Sequence, residues 1–193
     1  MTRVYLVRHA DVENPQRVLY GHLPGFPLSE RGRSQAVEVG KRLHDRGISR
    51  ILHSPLERAV ETARLIAEQL PEPVTVIPEP ALLEAEIGKY LQGVPYWQIP
   101  VRRPLWLVHK ARRGLLPGDE ALDQMGGRVV GVMHRVAREH PDEASVLVAS
   151  NRWKSPLDEQ VRGARSLERP ANVITEVNDF FDTLHGYVIE HSF

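Results

Sequence analysis

Short β-branched apolar runs alternate along the chain with stripes of apolar residues at helical spacing, and this alternation limits the folds open to it. Val4-Tyr5-Leu6-Val7 reads as a buried strand that runs straight into Arg8-His9. Ser29 predicts a helix cap, with the helix starting near Glu30 and Ala36, Val39, Gly40 and Leu43 on one face before Gly47 stops it. Residues 50–53 read as a second short strand. Ser54-Pro55 then predicts a helix start, serine as cap and proline at the first helical position. Ala59, Ala63, Ile66, Ala67 and Leu70 are the buried stripe of that helix. Residues 74–77 give a third strand. Residues 118–140 give a long helix with Leu122, Met125, Val129, Val132 and Val136 on one face. Residues 145–149 give a fourth strand, and 173–177 and 187–190 two more. Strands alternating with helices predict the α/β class: a three-layer α/β/α sandwich, with a mostly parallel central sheet and helices on both faces.

The 193 residues are within reach of one domain, so residues 1–193 are expected to form a single unit. Residues 78–117 break the alternation. They are rich in proline, basic and aromatic residues, among them Trp97, Arg102, Arg103, Trp106, Lys110, Arg112 and Arg113, and are expected to be an irregular cap or insertion. Such a composition fits an anionic or ring-bearing substrate or, the favoured reading, a solvated basic face with two core tryptophans. Lys plus Arg and Asp plus Glu are equal at 25 each, which gives no argument for nucleic acid or a membrane surface as partner. The chain has no cysteine, excluding disulfides, thiol chemistry and thiolate metal sites. No signal peptide or transmembrane run is visible, and the expected location is the cytoplasm.

Chemistry-bearing residues gather at three strand ends: Arg8-His9 after the first, Ser54 to Arg58 after the second, and Ser150-Asn151-Arg152 after the fourth. Open α/β sheets bind ligands just outside the carboxyl ends of their strands. Arg58 falls in the first turn of a helix, where a cation opposes the helix dipole unless an anion is bound beside it. It is either a solvated arginine or half of an anion site. Glu84 follows the third strand. It is either an exposed glutamate or a carboxyl kept protonated by nearby negative charge and able to act as general acid.

The ordered series resembles the histidine phosphatase superfamily, the phosphoglycerate mutase-like proteins. Leu6-Val7-Arg8-His9-Ala10 is similar to its Arg-His-Gly signature, with alanine for glycine. Asn14, then Tyr20-Gly21-His22-Leu23-Pro24-Gly25, Pro27 to Gly32 and Gln35-Ala36 resemble the segment that follows it. Ser54-Pro55-Leu56-Glu57-Arg58-Ala59 with Glu61-Thr62-Ala63 resembles its second arginine motif, and Leu83-Glu84 with Ile87-Gly88 its acidic loop. Pro117-Gly118-Asp119-Glu120 and Arg128 look like the start of its later helix, and Val146 to Ser150 like the strand before its second histidine.

The resemblance implies a metal-independent phosphomonoester hydrolase needing no cofactor, acting on a small phosphorylated metabolite. His9 would attack phosphorus, Arg8 and Arg58 would clamp the phosphoryl oxygens, and Glu84 would protonate the leaving oxygen. Asn14, Tyr20 and His22 are open to contact with phosphate or substrate, or to a purely structural part in the loop. Phosphoglycerate mutase-type transfer is the neighbouring alternative. The pattern breaks at the second histidine, where this chain carries Asn151. Asparagine can donate a hydrogen bond to phosphate but cannot carry charge. That break supports a third alternative, a weakened or inactive phosphate-binding protein. Residues 151–169 also depart from the apolar helix of relatives. Oligomeric state is not legible.

Overall fold

The computed structural model describes residues 2–84, 90–107, 120, 122–149, 175–176 and 188–192. Strands β1 (Arg3–Arg8), β2 (Ile48–His53), β3 (Thr75–Pro78), β4 (Ala144–Ala149), β5 (Thr175–Glu176) and β6 (Val188–Ser192) form one sheet in the order β3-β2-β4-β1-β6-β5. The first four pair in parallel. β6 runs antiparallel to both β1 and β5, so among the described strands only β6 runs against the rest.

Side-chain alternation divides the core in two. Val4 and Leu6 of β1 and Leu147 of β4 pack with Met125, Val129, Val132, Met133 and Val136 of helix α4 (Leu122–Glu139). Tyr5, Val7, Val146 and Val148 point the other way. They pack with Val39 and Leu43 of α1 (Glu30–Leu43) and with Ala59, Ala63 and Ile66 of α2 (Glu57–Ala67). Helices thus cover both faces of a mostly parallel sheet, as the alternation predicts. Every residue of β4 is buried, which explains its unbroken apolar run. Each large apolar side chain buried here contributes about 1.5–3 kcal/mol before the entropy of ordering is counted.

Two expectations are corrected. α2 begins at Glu57 behind Leu56, which provides no side-chain cap. Ser54 instead extends the sheet, its N–H donating to the Val148 carbonyl at 2.9 Å. A ladder bond to the central strand thus outranks the local capping signal of Ser54-Pro55. Trp97 is not a core residue; it is 76% exposed. It lies in a turn leading into the short helix α3 (Ile99–Arg102). Trp106 does pack, against the small cluster of Leu19 and Leu91.

Two long-range contacts shape the carboxyl end of the sheet. Residues 17–19 run against 93–96: Leu19 N–H donates to Val94 at 3.0 Å, Gly93 N–H to Leu19 at 2.8 Å and Tyr96 N–H to Arg17 at 3.0 Å. Part of the insertion is thereby fastened to the loop that follows β1. The start of α1 meets the chain just past His9. Ser29 caps the helix by accepting from Gly32 N–H at 3.0 Å, and its own N–H donates to the Asp11 carbonyl at 3.0 Å. A Cβ on Gly32 would stand 2.0 Å from that carbonyl oxygen, so no side chain fits there. Gly32→Ala is expected to cost about 1–3 kcal/mol as the segment after β1 is pushed aside. A denaturant midpoint equal to that of the unmodified chain would contradict the close approach.

Candidate active site

Three successive peptide N–H groups past β1 are held by three different elements. His9 N–H donates to Ala149 of β4 at 2.9 Å. Ala10 N–H donates to Thr62 Oγ1 of α2 at 3.1 Å, and Asp11 N–H to Gln35 Oε1 of α1 at 3.0 Å. The strand end carrying His9 is therefore fixed from both helices on its face and from the neighbouring strand.

The His9 imidazole is 4% exposed. Its Nδ1 lies 2.9 Å from the Ala10 carbonyl oxygen. A carbonyl can only accept, so Nδ1 carries the proton and Nε2 presents a lone pair. Arg58 Nε–H donates to that Nε2 at 3.3 Å. Burial, and next the Arg58 charge, lower the His9 pKa from 6.5 to about 3. The Ala10 carbonyl opposes that shift, and Arg8 adds to it. His9 is a neutral base with one defined unprotonated nitrogen, which is what nucleophilic attack by histidine requires.

Arg58 is 1% exposed. It reaches its place because α2 begins one residue before it, at the end of β2. Its Nη2 donates to Glu84 Oε2 at 2.6 Å and to the Gly21 carbonyl at 2.9 Å, and its guanidinium lies 4.8 Å from the centre of the Tyr20 ring. Tyr20 stacks in turn on Phe26 at 4.9 Å, and burial pushes its phenol pKa up. Gly21 sits at φ +48°, a left-handed conformation that glycine adopts without strain.

Glu84 is buried and ion-paired with Arg58, so its neighbour in this state is a cation rather than the anion expected for a protonated acid. Its backbone carbonyl accepts from His22 Nε2 at 2.7 Å. The preceding residues are pinned to α4: Arg128 donates to Ala81 at 2.7 Å and Leu83 at 3.3 Å while pairing with Glu120 at 2.7 Å.

Arg8, His9, Ala10, Asp11, Val12, Asn14, Arg17, Tyr20 and Tyr96 line a cavity of about 430 Å³, within the usual range for small-ligand sites. The fold thus joins His9, Arg58 and Glu84 by direct contact and brings Arg8 and Tyr20 to the same place. His22 positions the Glu84 backbone. Asn14 lines the cavity, but its carboxamide is engaged with Val18, donating at 2.9 Å and accepting at 3.0 Å, so it shapes the turn. Asn151 lies outside the described residues. Sequence reasoning missed Arg17 and Tyr96, far apart in the chain and joined only by the 17–19 and 93–96 pairing. It quoted Thr62, Gln35 and Arg128 without a role. For Thr62 a signal existed: it stands four residues after Arg58, on the same helical face.

Among the described residues no group of three or more His, Asp or Glu is arranged to hold a metal ion, and no helix is long and apolar enough to cross a membrane.

Known proteins resemble this chain in sequence and in fold. Phosphoglycerate mutase-like protein 4 of Arabidopsis thaliana is 30% identical over 186 residues, 93% of this chain and 80% of that protein. An uncharacterized Mycobacterium tuberculosis protein, Rv0525, is 46% identical over 84 residues, 44% of this chain and 41% of its own length, so the match spans less than half of that relative. The mycobacterial glucosyl-3-phosphoglycerate phosphatase, solved with inorganic phosphate, has a TM-score of 0.67 at 27% identity, covering 82% of this chain and 78% of its own. The family profile itself aligns with residues 4–157, from β1 past the end of β4, and on that match the chain belongs to the histidine phosphatase superfamily, branch 1.

Proposed function

We propose that the chain is a metal-independent phosphomonoester hydrolase working through a phosphohistidine at His9. The observation that carries this reading is the buried, neutral imidazole, its unprotonated Nε2 beside the Arg58 guanidinium. Nε2 attacks phosphorus, and the Nε2–P bond forms as the ester P–O bond breaks. The imidazole becomes cationic, and its Nδ1 keeps its proton, which goes on donating to the Ala10 carbonyl. Arg8 and Arg58 hold the phosphoryl oxygens. The bound phosphoryl group competes with Glu84 for Arg58, and the carboxyl released beside that negative charge takes up a proton. It gives the proton to the leaving oxygen. Water then attacks phosphorus and gives a proton to Glu84; its O–P bond forms as the Nε2–P bond breaks, which releases phosphate and restores the neutral imidazole. The ligand is a small phosphorylated metabolite, in keeping with the phosphate held by the mycobacterial neighbour. Hydrolysis is favoured over mutase transfer because Tyr96 on the cavity wall is 52% exposed, leaving a path for water.

The test uses a nitrophenyl phosphate and an alkyl phosphate, with chelator present. Glu84→Gln is expected to slow the alkyl ester by about 10²–10⁴-fold. The nitrophenyl ester should slow much less, since its leaving group needs little help from an acid. Equal losses on both substrates would remove Glu84 from the acid role.

Asn151 favours a second reading, a phosphate-binding protein with weakened turnover. If residue 151 stands opposite His9, Asn151→His raises kcat on the order of 10²-fold, the worth of one charged donor to the transition state. Unchanged kcat would show that this position does not limit the rate.

A further inference from the structure

We propose that Thr62 and Gln35 are positioning residues that set the reactive tautomer of His9 by holding the two peptides on either side of Ala10. This rests on the reading of His9 as the nucleophile. Thr62 is 1% exposed and Gln35 9% exposed. Thr62 Oγ1 lies 2.7 Å from the Arg58 carbonyl, one turn back on α2. That carbonyl can only accept, so the hydroxyl proton points to it and the oxygen lone pairs turn outward. One of them receives Ala10 N–H at 3.1 Å.

The peptide between His9 and Ala10 is thus tied to the helical turn that carries Arg58. The next peptide is tied to α1, because Asp11 N–H donates to Gln35 Oε1 at 3.0 Å. In a trans peptide the C=O points opposite to the N–H. Holding Asp11 N–H on Gln35 therefore aims the Ala10 carbonyl away from Gln35, and that carbonyl receives His9 Nδ1–H at 2.9 Å. The two side chains lie on different helices and act on adjacent peptides. Together with Arg58, whose Nε–H donates to Nε2 at 3.3 Å, they set which imidazole nitrogen keeps its proton and where the other one points.

A displacement of about 1 Å at a reacting atom costs on the order of 100-fold in rate. Thr62→Val keeps the shape and removes both hydrogen bonds; Gln35→Leu removes the acceptor for Asp11 N–H. Each is expected to lower kcat for an aryl phosphate by about 10–100-fold. KM should change much less, because Arg58 keeps its bonds to Gly21 and Glu84. Thr62→Ser, which retains the hydroxyl, should recover most of kcat. Nitrogen-15 shifts of the His9 ring should report a single Nδ1–H tautomer in the unmodified protein and a mixture in Thr62→Val and Gln35→Leu. Folded variants with the original tautomer and kcat would overturn the proposal, as would a serine variant as slow as the valine one. Should Thr62→Val fail to fold, Gln35→Leu and Thr62→Ser decide it. If the unmodified protein turns over no phosphate ester, the reading of His9 as nucleophile fails, while the ring shifts still decide what holds its tautomer.

Discussion

His9→Ala is expected to lower kcat for an aryl phosphate by on the order of 10⁴–10⁶-fold, the scale of loss when an enzyme's nucleophile is deleted. No other imidazole among the described residues is in hydrogen-bond contact with Arg58. The variant should still fold, since the change removes two buried hydrogen bonds, each worth about 0.5–1.5 kcal/mol, and leaves a cavity no larger than the imidazole ring. It should also still bind inorganic phosphate through Arg8 and Arg58, which separates loss of chemistry from loss of the site. A pH effect accompanies it. The folded pKa of His9 is about 3 against 6.5 in an unfolded chain. Between those values the unfolded chain binds a proton that the folded one does not. The contribution of His9 to stability is therefore complete above pH 6.5 and is lost as pH falls toward 3. Denaturant midpoints at pH 7 and pH 5 should differ more for the unmodified protein than for His9→Ala. An equal pH dependence would mean that the imidazole is not buried in its neutral form.

Arg58→Ala is expected to be the next most damaging change, because it strikes stability and activity together. Arg58 and Glu84 form an ion pair whose side chains are 2% and 8% exposed. Removing one partner strands a buried carboxylate, at a cost of about 3–5 kcal/mol. Activity should fall on the order of 10²–10³-fold, the usual loss for one donor to a developing anion. Arg58→Met with Glu84→Gln separates the two effects. An uncharged pair of similar volume recovers most of the stability but none of the activity. Arg58→Ala with the stability of the unmodified chain, or a double variant with its activity, would contradict this account.

Much of the layer structure was legible because side-chain alternation is local. Val4 and Leu6 against Tyr5 and Val7 assign two faces from a single strand, and the spacing of Met125, Val129, Val132 and Val136 assigns the helix that meets one of them. Ser29 was legible as a cap because its partner, Gly32 N–H, is three residues away. Ser54 misled because its rival partner, Val148, belongs to a strand far along the chain. The site follows the same rule. His9 and Arg58 could be read from strand ends, whereas the bond of Arg58 to Glu84 and the wall formed by Arg17 and Tyr96 depend on long-range pairings with no local trace. Trp97 was misplaced because an aromatic residue is no guide to burial in a segment without periodicity.

The central claim is a covalent phosphoryl group on Nε2 of His9. Rapid alkaline quench during turnover of an aryl phosphate, followed by phosphorus NMR and mapping of the modified peptide, tests it directly. The predicted result is acid-labile, base-stable phosphate on His9, attached through Nε2, with Nδ1 carrying the proton. Steady hydrolysis with no phosphorus bonded to His9, or with the label on another side chain, would contradict it.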